Sequence, residues 1–201
     1  MSLVRRVGVF GGSFDPPHAA HMALVQAAIS TLALDEMRVV PTGQAWHKAR
    51  VLSDAHHRLA MTILAFADAP RVVVDPREIQ RAGPSYTVDT LRELKTLHHA
   101  SDLFLIIGED QAMALPTWHA WEDLLQLAII CVAERKDIMG SQPRFMAPKA
   151  HESRFRRLPM PALPISATDI RARIAAHQSA VPLVCEPVAR YIDDHHLYQT
   201  N

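Results

Sequence analysis

Short runs of consecutive apolar, often β-branched residues alternate along this chain with longer stretches in which apolar residues recur every three or four positions. The runs at 4–10 (VRRVGVF), 37–41 (MRVVP), 71–75 (RVVVD), 102–108 (DLFLIIG) and 128–133 (AIICVA) read as five strands, apolar enough to be covered on both faces. Between them, 18–33 carries Met22, Val25, Ile29 and Leu32 at helical spacing. The stretch 54–67 carries Leu59, Ile63 and Phe66 after Ser53 as a cap, and 87–98 carries Val88, Leu91 and Leu94. Strand handing over to helix predicts an α/β fold, a Rossmann-like doubly wound parallel sheet of about five strands with helices on both faces. Ligands bind such sheets at the carboxyl ends of the strands. The stretch 136–164, rich in Pro, Arg and Met without period, is expected to be a long irregular connection.

Length and charge narrow the picture. The 201 residues are 49% hydrophobic, sufficient for one substantial core, so the expectation is a single domain over 1–201 with 165–201 forming a C-terminal helical portion. Lys and Arg together number 21, as do Asp and Glu, which leaves no net charge to attract nucleic acid or an anionic membrane. Cys131 and Cys185 make no disulfide framework, the N-terminus has too short an apolar run for a signal peptide, and nothing approaches the ~20 apolar residues of a membrane span. A cytoplasmic protein is expected. A homo-oligomer is compatible with the sequence, although nothing separates an interface stripe from a core stripe. The neighbouring histidines His56 and His57, His98 and His99, and His195 and His196 are expected to point in different directions on the surface.

The first strand runs into "VGVFGGSFDPPHAAHM", residues 7–22. A glycine turn after the first strand of such a sheet brings backbone N–H groups and a helix N-terminus against phosphate. This turn is neither the G-x-G-x-x-G dinucleotide fingerprint nor a P-loop ending in Gly-Lys-Ser/Thr. His18 and His21, three apart, share one side of a first helical turn, and by spacing alone phosphate contact, a structural pair and a metal site all remain open. No third metal ligand is evident. Near the far end, in "ISATDIR" (165–171), Ser166 and Thr168 can cap a helix whose N–H groups, with Arg171, make a second anion site.

"GGSFDPPHAAH" and "ISATDIR" together resemble the signatures of the nucleotidyltransferase superfamily. "GPSYTVDTL" (83–91), "IIGEDQ" (106–111), "LPTWHAWEDLL" (115–125) and "EPVARYI" (186–192) extend the likeness along nearly the whole chain to the nicotinate-nucleotide adenylyltransferases. Two departures stand out. Ala20 replaces a glycine, and "PTGQAWHKAR" (41–50) keeps His47 and Lys48 but lacks the family's Asn and prolines, with Trp46 in no assigned role.

The resemblance implies transfer of AMP from ATP to nicotinate mononucleotide, with Mg²⁺ bound mainly through the ATP phosphates and no metal ligand from the protein. In that scheme Gly11, Gly12, Ser13 and Phe14 cradle ATP, His18 and His21 donate to phosphate oxygens, and Lys48, Ser166, Thr168 and Arg171 face the triphosphate. Gly108 and Asp110 border the ribose, Trp118 stacks the pyridine ring, Thr87 borders the mononucleotide, and amides near Val88 and His119 receive the carboxylate. The alternatives are a related adenylyltransferase with another acceptor, nicotinamide mononucleotide or phosphopantetheine, and a nucleotide-binding module without turnover.

Overall fold

The structure, a computed structural model, describes residues 4–44, 52–135, 145–160 and 163–199. Six strands form one wholly parallel sheet: β1 (Arg5–Gly12), β2 (Glu36–Pro41), β3 (Val72–Val74), β4 (Ser101–Gly108), β5 (Ala128–Arg135) and β6 (Phe155–Met160). Their spatial order is β3-β2-β1-β4-β5-β6, so the chain reverses direction across the sheet between β1 and β4. That reversal splays the loops following β1 and β4 apart and opens a crevice at the carboxyl edge.

Alternation along each strand divides the core in two. Val7 and Val9 of β1, Leu103, Leu105 and Ile107 of β4, and Ile130 and Val132 of β5 face one layer. Phe10, Phe104, Ile106 and Cys131 face the other. The first layer is closed by the helices α4 (Thr87–Leu97), α5 (Glu109–Ala114) and α6 (Trp121–Leu127). The second is closed by α1 (Ala19–Thr31), α2 (Ala55–Phe66), α7 (Ala167–Ala175) and α8 (Glu186–Asp194), and a one-turn α3 (Arg77–Gln80) follows β3. Among the described residues no helix is long and apolar enough to cross a membrane.

Two local expectations are corrected. The stretch expected to be irregular holds a 3₁₀ turn over Lys149–Arg154 and then β6, an edge strand whose two arginines and Pro159 hide its period. Proline fits there because an edge strand has one unpaired side. Helix α2 is capped at Asp54, not Ser53, and without a side-chain cap bond. The cap of α4 is Tyr86, with Thr87 the first helical residue.

Gly43, just past β2, shows how tightly the carboxyl edge is closed. A Cβ there would lie 2.1 Å from the Glu78 carbonyl oxygen, whereas one at Gly11 would meet nothing within 4 Å. Gly43→Ala is therefore expected to lower unfolding free energy in urea by roughly 1–3 kcal/mol, the range for overpacking. Gly11→Ala should leave it within about 0.5 kcal/mol; equal losses would mean that the β2 edge is not closely packed on Glu78.

Candidate active site

The loop between β1 and α1 is fixed from three directions. Arg58, 2% exposed, reaches from α2 and donates to the carbonyls of Ser13 (3.0 Å), Thr42 (2.7 Å), Gly43 (3.4 Å) and Ser53 (2.9 Å). Arg171 on α7 donates to the Asp15 carbonyl at 2.7 Å and to Thr168 Oγ1 at 3.1 Å. The Asp15 carboxylate, 1% exposed, accepts from Tyr198 Oη at 2.7 Å and from the Ser53 N–H at 3.3 Å. Burial, and after it the carboxylate of Asp15, pushes the Tyr198 phenol far above its usual range, so Tyr198 remains a donor. Because a peptide's C=O and N–H point in opposite directions, Arg58 on the Ser13 carbonyl turns the Phe14 N–H the other way. Phe14 itself holds a left-handed φ of 46° with its ring buried against Phe10, a strained geometry that costs about 1–3 kcal/mol and that the surrounding contacts maintain.

His18 and His21 play unequal parts. His18 is the N-cap of α1 and is buried, whereas His21, one turn on, lines the cavity described below. Their rings stack with centroids 3.7 Å apart, and the His18 N–H donates to His21 Nδ1 at 3.2 Å. A neutral His21 that accepts at Nδ1 carries its proton on Nε2, so its other edge is a donor. Among the described residues no three His, Cys, Asp or Glu side chains converge to hold a metal ion. Ala20 lies inside α1 without a positive φ, so that position makes no backbone demand for glycine.

A cavity of ≈ 520 Å³ opens at the carboxyl edge where the strand order reverses, within the range of small-ligand sites. Gly11, Gly12, Ser13 and His21 line it from the turn after β1, Gly108 from the end of β4, and Thr87, Trp118 and His119 from the start of α4 and the turn before α6. Tyr86 and His119 pack with ring centroids 4.5 Å apart and planes tilted by 36°. Thr87 and Val88 open α4, and their N–H groups have no intrahelical partner, which favours an anion there; the Asp89 carboxylate of the same turn is paired with Arg92.

The remaining expected site residues stand further out. Phe14 and Val88 are buried in the core, so only their backbone can serve a ligand. Asp110 is exposed on the first turn of α5, outside the cavity wall. Ser166 caps α7 by accepting from the Asp169 N–H at 3.1 Å, whereas Thr168 instead accepts from Arg171. These two and Arg171 do not line the cavity but flank its loop through the Arg171 bond to Asp15. Trp118 follows a 3₁₀ turn, Leu115–Thr117, and its own N–H is taken by the Leu115 carbonyl. Lys48, with Trp46 and His47, falls outside the described residues.

Sequence reasoning missed Glu78 and Arg58. Glu78 lines the cavity yet is only 6% exposed; Thr90 Oγ1 donates to its Oε1 at 2.7 Å, and Arg81 donates to that same hydroxyl at 3.4 Å. Burial raises the Glu78 carboxyl above its usual range, against the Thr90 hydrogen bond and the Arg81 charge; Glu93 and Asp75 add to the rise. Of the adjacent histidines expected on the surface, His56, His99, His195 and His196 are exposed, but His57 is half-buried: it bonds Tyr191 Oη at 2.9 Å and packs 5.1 Å from His195, which joins the α2 N-terminus to the α8 C-terminus.

Residues 9–173 match the Cytidylyltransferase-like family. The chain is 66% identical over 98% of its length to the whole of a protein of Albidiferax ferrireducens named "probable nicotinate-nucleotide adenylyltransferase". It is 46% identical over 96% of its length to 92% of a protein of the same name from Methylibium petroleiphilum. In fold it is similar to the Plasmodium falciparum nicotinic acid mononucleotide adenylyltransferase complexed with NaAD, with a TM-score of 0.77 at 20% identity and 98% of both chains covered.

The raised Glu78 carboxyl carries a pH signature. Its folded state keeps a proton that the unfolded chain, near 4.5, gives up, so Glu78 adds its full stability below that pH and loses it as pH rises through the folded value. Glu78→Gln, which does not titrate, is therefore expected to gain stability relative to wild type between pH 5 and pH 8 in urea titrations. A pH-independent difference would show a carboxyl that ionises as freely folded as unfolded.

Proposed function

The chain belongs to the nicotinate-nucleotide adenylyltransferase family, within the Cytidylyltransferase-like proteins, and on that premise we propose that it transfers AMP from ATP to nicotinate mononucleotide, forming nicotinate adenine dinucleotide and pyrophosphate. The observation that carries this reading is one continuous cavity with a glycine turn and a histidine donor at one end and an aromatic wall beside a helix N-terminus at the other.

Positioning and charge stabilisation supply the catalysis. A phosphate oxygen of the mononucleotide, already anionic at neutral pH, attacks the α-phosphorus of ATP; the new O–P bond forms as the bond to the β-phosphate bridging oxygen breaks, and pyrophosphate leaves with that electron pair. The nucleophile needs no side-chain base and the reaction needs no covalent intermediate. The backbone of Gly11 to Phe14 cradles the phosphates, and the Nε2–H of His21 meets charge that grows on the α-phosphate oxygens. His18 orients that imidazole from beneath. Mg²⁺ arrives with ATP as part of the substrate; Ser166, Thr168 and Arg171 flank the loop that holds the triphosphate, to which Lys48 adds positive charge.

At the other end Trp118 stacks the pyridine ring, and the N–H groups at the start of α4 and near His119 take the carboxylate. Donors grouped this way favour the acid over the amide, because a carboxylate only accepts whereas a carboxamide brings donors of its own. Asp110 meets ribose from the rim. A cytoplasmic setting, where Cys131 and Cys185 stay as thiols, completes the proposal.

The test is pyrophosphate release by purified protein with ATP, Mg²⁺ and either nicotinate or nicotinamide mononucleotide. Turnover with the acid, exceeding that with the amide by at least about tenfold in kcat/KM, is expected. Absence of release with the acid, or preference for the amide, contradicts the assignment.

A further inference from the structure

We propose that Glu78 is a positioning residue for the acceptor substrate: through its hydrogen bond with Thr90 it holds the first turn of α4 at the distance from which that turn binds the pyridine carboxylate. The proposal rests on the reading above that this turn meets the mononucleotide.

Geometry supports it at each step. Thr90 sits three residues after Thr87 and four after Tyr86, on the same side of α4. Its single hydroxyl proton goes to Glu78 Oε1 at 2.7 Å, while its oxygen accepts from Arg81. Glu78, Tyr86, Thr87 and Thr90 all line the cavity.

The Glu78 backbone is closely packed. Its carbonyl lies where a Cβ of Gly43 would come within 2.1 Å, and it also accepts from Ser85 Oγ at 3.4 Å. Gly43 is tied in turn to Arg58, which holds the Ser13 carbonyl. Next to Glu78, Arg77 holds Asp75 through Nη2 at 2.7 Å and reaches Glu93 at 3.3 Å, which Arg81 also binds at 2.7 Å. The start of α4 is thus fixed to the same frame as the glycine turn, and one end of the cavity is measured against the other. A shift of the α4 turn by a fraction of an ångström would loosen the acceptor without touching ATP.

The experiment compares Glu78→Ala, Glu78→Gln, Thr90→Val, Thr90→Ser and the Glu78→Ala/Thr90→Val double variant, by steady-state kinetics in both substrates and by calorimetric binding of nicotinate mononucleotide. Glu78→Ala and Thr90→Val should each raise KM and Kd for the mononucleotide about tenfold, the size one buried hydrogen bond carries. KM for ATP and kcat should stay within about twofold. Glu78→Gln and Thr90→Ser, which keep the acceptor and the donor, should restore binding, and the double variant should be no worse than either single one.

Unchanged mononucleotide binding in folded Glu78→Ala or Thr90→Val, or equal losses for both substrates, overturns the proposal. If Glu78→Ala does not fold, the Thr90→Val and Thr90→Ser pair decides alone. A wild-type enzyme inactive with nicotinate mononucleotide overturns the functional reading and this proposal together, whereas an active wild type with unresponsive variants overturns this proposal only.

Discussion

The nucleotide end of this molecule depends on how the first strand-to-helix turn is held from behind. Arg58 takes the carbonyl of Ser13 and Arg171 that of Asp15, while the Asp15 carboxylate draws in the Ser53 amide and the Tyr198 phenol. Carbonyls fixed outward leave the turn with little freedom to fold back on itself, and the strained φ of Phe14 persists because its ring is locked into the core. Segments separated by up to 183 residues in sequence meet at Asp15, so a short loop inherits the rigidity of the whole sheet.

The same frame extends to the far end of the cavity. Arg58 also holds Thr42 and Gly43, Gly43 lies against Glu78, and Glu78 bonds Thr90 on α4. The two ends therefore stand at a distance set by packed backbone and buried hydrogen bonds rather than by flexible side chains. For a reaction between two bound substrates, fixing that distance in advance is where a protein without covalent chemistry gains rate.

Much of this was legible in the sequence. Four of the five apolar runs mark parallel strands covered on both faces, whereas the run at 71–75 is the short edge strand β3 with Val73 exposed; Ser166 shows itself as a cap because its hydroxyl has one local amide to serve. The glycine turn, His21, Thr87, Trp118 and His119 were each readable from motif and are brought to one cavity. Strand β6 was hidden because an edge strand needs apolar residues at only a few positions, and Phe155 and Leu158 alone are buried there. Arg58 and Glu78 were hidden for another reason: a charged residue in a helical stretch reads as a solvated face, and only the tertiary fold shows Arg58 surrounded by carbonyls and Glu78 walled in by Thr90 and Gly43. The outer position of Arg171 was equally unreadable, since an arginine in a phosphate motif looks the same whether it meets the ligand or the loop that holds the ligand.

The turn is organised before any nucleotide arrives. A crystal structure of the protein with a non-hydrolysable ATP analogue and nicotinate mononucleotide tests it most directly. Arg58 and Arg171 are expected to remain on the carbonyls of Ser13 and Asp15, with His21 Nε2 within about 3 Å of an α-phosphate oxygen. A turn that abandons those arginines to wrap the phosphates, or a His21 ring directed away from them, would contradict it.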